Sequence, residues 1–199
     1  MLNKPAVTTE KLDNIIQNRW SPRAFSEQAL SAATITALLE AAQWAPSCMN
    51  EQPWRFIVCH KADQPEAWQN LLACLVEKNQ QWAQHAPLLV LAVAANNFTQ
   101  NGKPNAWAAY DTGAASLSLS LQATALGLVS HQMGGFVAEQ CRSRFNLPAD
   151  TTPLAVIALG YQADPEQLSE EFKSRELAER SRAALAERFY WGGWELQKP

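Results

Sequence analysis

The sequence has little of what usually advertises a chemistry. Its 199 residues hold four cysteines, Cys48, Cys59, Cys74 and Cys141, and no two of them form a CxxC pair. That spacing supports neither a zinc knuckle nor a dithiol redox motif, and no metal ligand set is expected. The three histidines, His60, His85 and His131, stand far apart. No GxGxxG follows an apolar run, and GxxxxGK[ST], HExxH and GxSxG are all missing. No carboxylate pair stands out for glycosidic or proton-transfer work. Basic residues are not in excess: the formal net charge is −3 and charged residues make up 18%. That balance argues against a nucleic-acid or membrane-surface binder. The opening "MLNKPAVTTEKLDN" has no apolar core and does not read as a signal peptide. Residues 106–128 form the longest weakly polar stretch, but Asp111, Gln122 and many serines and threonines make it a buried helix rather than a membrane span. Together these absences point to a reduced, cytoplasmic protein.

What is present is a globular composition, 47% hydrophobic, with eight tryptophans. The tryptophans suit core and interface packing, with one or two available to border a flat aromatic ligand. With no repeat or linker, residues 1–199 read as one domain. A first helix is expected over residues 8–19, with Leu12, Ile15, Ile16 and Arg19 on one face. A second covers 32–45, capped by Ser31, with Leu30 stapled to Ile35. "WRFIVCH" from Trp54 reads as a strand, 64–82 as a helix, and "PLLVLAVAA", 87–95, as a buried central strand. A long helix follows over 105–127, although its "SLSLSL" alternates like a strand. "GLVSHQM" is a short strand before Gly134 and Gly135, 137–146 a helix, 153–160 a strand and 166–188 a helix. The uneven helices favour an α+β three-layer sandwich, with a mixed central sheet flanked by helices.

Three polar stretches stand apart from this frame. "NRWSPRAF", 18–25, places Arg19, Ser21 and Arg23 within five residues, a donor set that suits a phosphate but also a solvated loop. "ERSRAAL", 179–185, offers Arg180 and Arg182, which equally suit a helix surface with glutamate partners. "QMGGF", 132–136, is either a tight turn or a place where bare backbone approaches a ligand ahead of a helix N-terminus. Between a helix and a strand lies "WAPSCMNEQPWRF", whose Pro46 and Pro53 punctuate the chain.

Taken together, "RWSPRAF", "APSCMNEQPWRF", "DTGAASLSLSLQATALGL", "MGGF" and "RSR…WGGW" resemble the FMN-dependent nitroreductase family, in order and spacing over nearly the whole chain. The resemblance implies a nitroreductase-type intertwined homodimer with FMN at the subunit interface, reduced by NADH or NADPH and reoxidised in a ping-pong route. Nitroaromatics, quinones and similar small electrophiles are the implied acceptors. It further implies that Arg19, Trp20, Ser21 and Arg23 with Arg180 and Arg182 bind the cofactor. Asn79 would meet the flavin ring, and Met133, Gly134 and Gly135 would face its edge. Pro46, Ser47, Cys48, Met49 and Asn50 would reach it from the partner subunit, and Trp107 and Tyr110 would wall the substrate pocket. Because the flavin carries the chemistry, no catalytic acid, base or nucleophile is expected from the protein. Two other outcomes share these features: a reductase of one metabolic aldehyde or enal on the same scaffold, and a non-catalytic flavin-binding protein.

Overall fold

A computed structural model describes residues 2–194. Its α-helices are α1 (Asn14–Asn18), α2 (Ala32–Gln43), α3 (Pro65–Ala73), α4 (Glu77–Ala83), α5 (Ala108–Ala125), α6 (Ala138–Phe145) and α7 (Glu170–Leu177). The strands are β1 (Trp54–His60), β2 (Leu88–Ala95), β3 (Val129–Met133) and β4 (Thr151–Gly160). They form one sheet in the order β1-β2-β4-β3.

The period-2 alternation of the strands explains the layering. On β2, Leu89, Leu91 and Val93 join Trp68, Trp82 and Phe172 in one buried cluster. Leu88, Val90 and Ala92 point the other way, into a cluster with Leu38 of α2 and Ala115 and Leu119 of α5. On β4, Val156 and Ala158 share the first cluster, and Ile157 and Leu159 the second. The sheet is thus covered on both faces, which is the expected three-layer arrangement. Among the described residues every strand pairing is antiparallel, rather than mixed. The reason lies in the connections: His60 lies opposite Leu88, so the excursion through α3 and α4 returns to the sheet end it left.

Helix α5 holds the sheet through small residues. Thr112, Ser116 and Ser120 face inward, and each hydroxyl donates to the carbonyl one turn back at 2.7, 2.8 and 2.9 Å. Internal bonding lets serine sit in a buried helix face, so "SLSLSL" is helical despite its alternation. Ser31 caps α2 as expected, accepting the Thr34 N–H at 3.1 Å. Three helices are shorter than their apolar patterns suggest. The first begins at Asn14 because Asp13 caps it by accepting the Ile15 N–H, which leaves Leu12 outside. The stretch 64–82 breaks into α3 and α4 where Leu75 bridges to Phe136. The last helix ends at Leu177, where Ala178 turns extended (ψ 144°). Among the described residues no helix is long and apolar enough to cross a membrane.

Candidate functional site

The end of α1 and the end of α7 meet to form a cationic cradle. Arg19 leaves α1 in extended conformation, and Ala178 does the same after α7. Between them lies a cavity of about 200 Å³, lined by Arg19, Trp20, Ser21 and Arg23 from one side and Arg175, Arg180 and Arg182 from the other. With Lys4, the lining holds six cations against one carboxylate, Glu179. A groove of about 660 Å³ adjoins it and shares Arg19, Arg180 and Arg182.

The cations are crowded. Burial lowers the Arg19 guanidinium from its ordinary value, and the Arg182 charge adds to this. Burial also lowers Arg180, with Arg19 and Arg182 contributing. Crowding of this kind favours an anion as the missing partner. The arginines are not equivalent. Arg180 is spent on main chain, donating to the carbonyls of Lys4 (2.5 Å), Gln17 (3.0 Å) and Arg19 (3.0 Å). It therefore fixes the backbone that carries Arg19. Arg19 Nη1 lies 3.4 Å from Ser21 Oγ, a long contact. Among the described residues Arg182 donates to the adjacent Ser181 carbonyl alone, at 2.7 Å. Lys4 bridges the ends of the site, donating to the carbonyls of Glu176 (2.7 Å) and Ala178, with its ammonium 4.7 Å from the Trp20 ring centre.

Two residues that sequence reasoning missed hold this loop. Glu176 is wholly buried and accepts the N–H groups of Arg23 (2.8 and 3.0 Å) and Ala24 (3.2 Å). Burial raises its carboxyl pKa, opposed by those N–H bonds and by the Arg23 and Lys4 charges. His131 of β3 donates from Nδ1 to the Pro22 carbonyl at 2.9 Å and packs on Trp82, ring centres 4.6 Å apart. Burial pushes its pKa down to about 4, against the Pro22 carbonyl and with help from Arg23 and Arg19. No local pattern signals either residue, because each is identified only by its distant partner.

The edge strand β3 links the cradle to a second group. Met133 follows His131 by two residues and so shares its face. Next, the Gly135 carbonyl accepts both the Val76 N–H and Asn79 Nδ2, each at 3.0 Å. A Cβ at Gly135 would lie 2.7 Å from Asn79 Nδ2, so a larger residue here would displace the Asn79 amide. Asn79, Gly134 and Gly135 are therefore gathered beside the end of β3.

The segment after α2 lies elsewhere. Met49, Asn50 and Gln52 all adopt positive φ, at 54°, 57° and 50°. Three such non-glycine residues within four positions mark stored backbone strain. Side chains hold the turn: Asp111 of α5, itself buried, accepts the Cys48 N–H at 3.0 Å, and Ser47 Oγ accepts the Gln52 N–H at 3.0 Å. Glu51 accepts the Thr99 N–H at 2.7 Å. Pro46 to Asn50 are thus fastened to α5, close in sequence to Trp107 and Tyr110, whose rings meet edge-on at 6.4 Å. Met49, Trp107 and Tyr110 are all exposed.

The nitroreductase family model matches residues 16–161. An uncharacterized 15.4 kDa protein of Mycolicibacterium smegmatis is 32% identical over 145 residues, covering 70% of this chain and 97% of its own. An Archaeoglobus fulgidus protein named as an NADH dehydrogenase/NAD(P)H nitroreductase is 28% identical over 169 residues, covering 81% of this chain and 91% of its own. Among solved structures, an oxidoreductase containing FMN matches with a TM-score of 0.90 at 32% identity, covering 99% of this chain and all of that one. A nitroreductase family protein of Clostridium difficile shares the fold, with a TM-score of 0.69 at 24% identity over 90% of this chain and 97% of that one.

Proposed function

This chain belongs to the nitroreductase family, and from that premise we propose that it is an FMN-dependent oxidoreductase built as one cofactor-binding domain. The observation that carries the proposal is the cradle, a cavity of about 200 Å³ lined by six cationic residues and Ser21. That donor set fits a phosphate monoester: forked guanidinium donors, permanent charge and a short hydroxyl. Asn79 and the bare backbone of Gly134 and Gly135 fit the polar edge of a flat ring. When bound, FMN supplies two-electron redox chemistry, read here as a ping-pong exchange between NADH or NADPH and a nitroaromatic, quinone or similar small electrophile.

The chain's own residues bind and orient. Arg19, Arg23 and Arg182 hold the phosphate, Arg180 fixes the backbone around it, and Trp20 borders the same cavity. No side chain acts as an acid, base or nucleophile. Pro46, Ser47, Cys48, Met49 and Asn50 serve the cradle of a second copy, and Trp107 and Tyr110 wall the acceptor side. Two observations support such a dimer. The strained turn is fastened to α5, and none of residues 46–52 is among those that line the cradle of the same chain. Large apolar side chains lie exposed near it and along the late chain, among them Trp44, Tyr110, Phe189 and Trp194. Sedimentation at the mass of one chain would refute the dimer.

The visible spectrum before and after anaerobic NADPH tests the whole reading. A yellow protein that bleaches is expected. A colourless protein that ignores added FMN would overturn it.

A further inference from the structure

Glu176 is a carboxylate buried among the cations of an anion site, where a negative charge should compete with the ligand. It is wholly buried, and its oxygens are taken up by main-chain donors: Arg23 N–H at 2.8 and 3.0 Å, and Ala24 N–H at 3.2 Å. These bonds join α7 to the segment that carries Arg19, Ser21 and Arg23, across 153 and 152 positions of chain. His131 holds the same segment one residue earlier, at the Pro22 carbonyl. The loop is therefore gripped at adjacent residues, by an acceptor from α7 and a donor from β3. Its N–H groups are turned inward, and its charged side chains are left for the cavity.

We propose that Glu176 is a positioning residue for the anion cradle, fixing the Arg23–Ala24 main chain so that the arginine donors stand in place before the anion arrives. The role rests on the FMN reading above. It differs from charge neutralisation in a testable way. If Glu176 acted only as a negative charge near the phosphate, removing that charge would tighten FMN binding. If it positions the loop, removing it weakens binding, because the donors must then be ordered at the expense of affinity.

The test is a fluorescence titration of the full chain, freed of flavin, with FMN and with riboflavin, which lacks the phosphate. Glu176→Gln keeps one carbonyl oxygen for the Arg23 and Ala24 N–H groups, so about tenfold weaker FMN binding is expected. Glu176→Ala leaves both N–H groups without an acceptor, and about hundredfold weaker binding is expected. Riboflavin affinity should stay within about twofold in both, since the lost positioning acts through the phosphate donors. A circular dichroism melt establishes that the glutamine variant is folded, and that variant decides the matter if the alanine variant is not. FMN binding by Glu176→Gln equal to or tighter than wild type overturns the role. So does an equal loss for riboflavin and FMN, which would mean a general structural defect. Wild-type protein that binds no FMN fails the functional reading itself, whereas wild-type binding with unaltered variants fails this inference alone.

Discussion

The cradle between residues 19–24 and 175–182 and the turn at residues 46–52 are both shaped by the chain itself, under different kinds of stress. In the cradle the stress is electrostatic: burial lowers the proton affinity of Arg19 and Arg180, and the neighbouring guanidinium charges, Arg182 among them, lower it further. In the turn the stress lies in the backbone, with three left-handed non-glycine residues held down by Asp111, Ser47 and Thr99. An arriving anion relieves charge crowding, so the first stress is convertible into affinity. Backbone strain has no such outlet and must be offset by the fold. Changes in the cradle should therefore move ligand affinity, and changes in the turn should move stability.

Removing charge is the strongest way to break this contrast. Arg182→Ala, and separately Arg19→Ala, are expected to weaken FMN binding by about 1.5–3 kcal/mol each, with little change in melting temperature. Flavin titration checks this, and unchanged affinity in both variants would remove them from the phosphate site. A pH-dependent effect is expected from His131, which links the cradle to the core. Its folded pKa lies near 4, against an ordinary value of 6.5, so the unfolded chain binds more protons between those pH values. Its contribution is full above about pH 6.5 and is lost as pH falls toward 4, by about 3 kcal/mol. Denaturant unfolding at several pH values measures this, and His131→Gln should flatten the dependence. On the turn side, Asp111→Ala strands the Cys48 N–H and should cost about 1–2 kcal/mol of stability, with Asp111→Asn recovering most of it. Thermal melts of the two variants decide the point. The smallest change sharpens the comparison: Met49→Gly relieves one left-handed residue and should gain about 0.5 kcal/mol after glycine's entropic cost. A lower melting midpoint in that variant would mean that the turn holds no strain at Met49.

The layers of the fold were legible because strands announce themselves by apolar runs. β1 occupies the "WRFIVCH" segment, and β2 and β4 lie within two residues of their expected limits. Helix ends were less legible. The apolar spacing of 64–82 persists through Leu75, but the bridge to Phe136 takes that residue out of the helix, and only tertiary structure contains that competitor. The arginines of the cradle could be read as a phosphate set from their spacing. Their division of labour could not, because Arg180 and Arg182 look alike in "ERSRAAL" and differ only in whether distant carbonyls are within reach. Glu176 and Asp111 were invisible for a related reason: a carboxylate is normally a surface residue, and both are buried to satisfy N–H groups from remote segments.

The three carbonyls held by Arg180 lie 176, 163 and 161 positions earlier in the chain. Contacts of such sequence separation carry a loop-closure cost that must be met before the contact rewards it. The sheet and most of both helical layers lie between the two segments in sequence, so the cradle exists only in a chain whose fold has brought those segments together. Retained flavin would then report completed folding, and any insertion that shifts α7 against α1 would be felt as lost cofactor before it was felt as lost secondary structure.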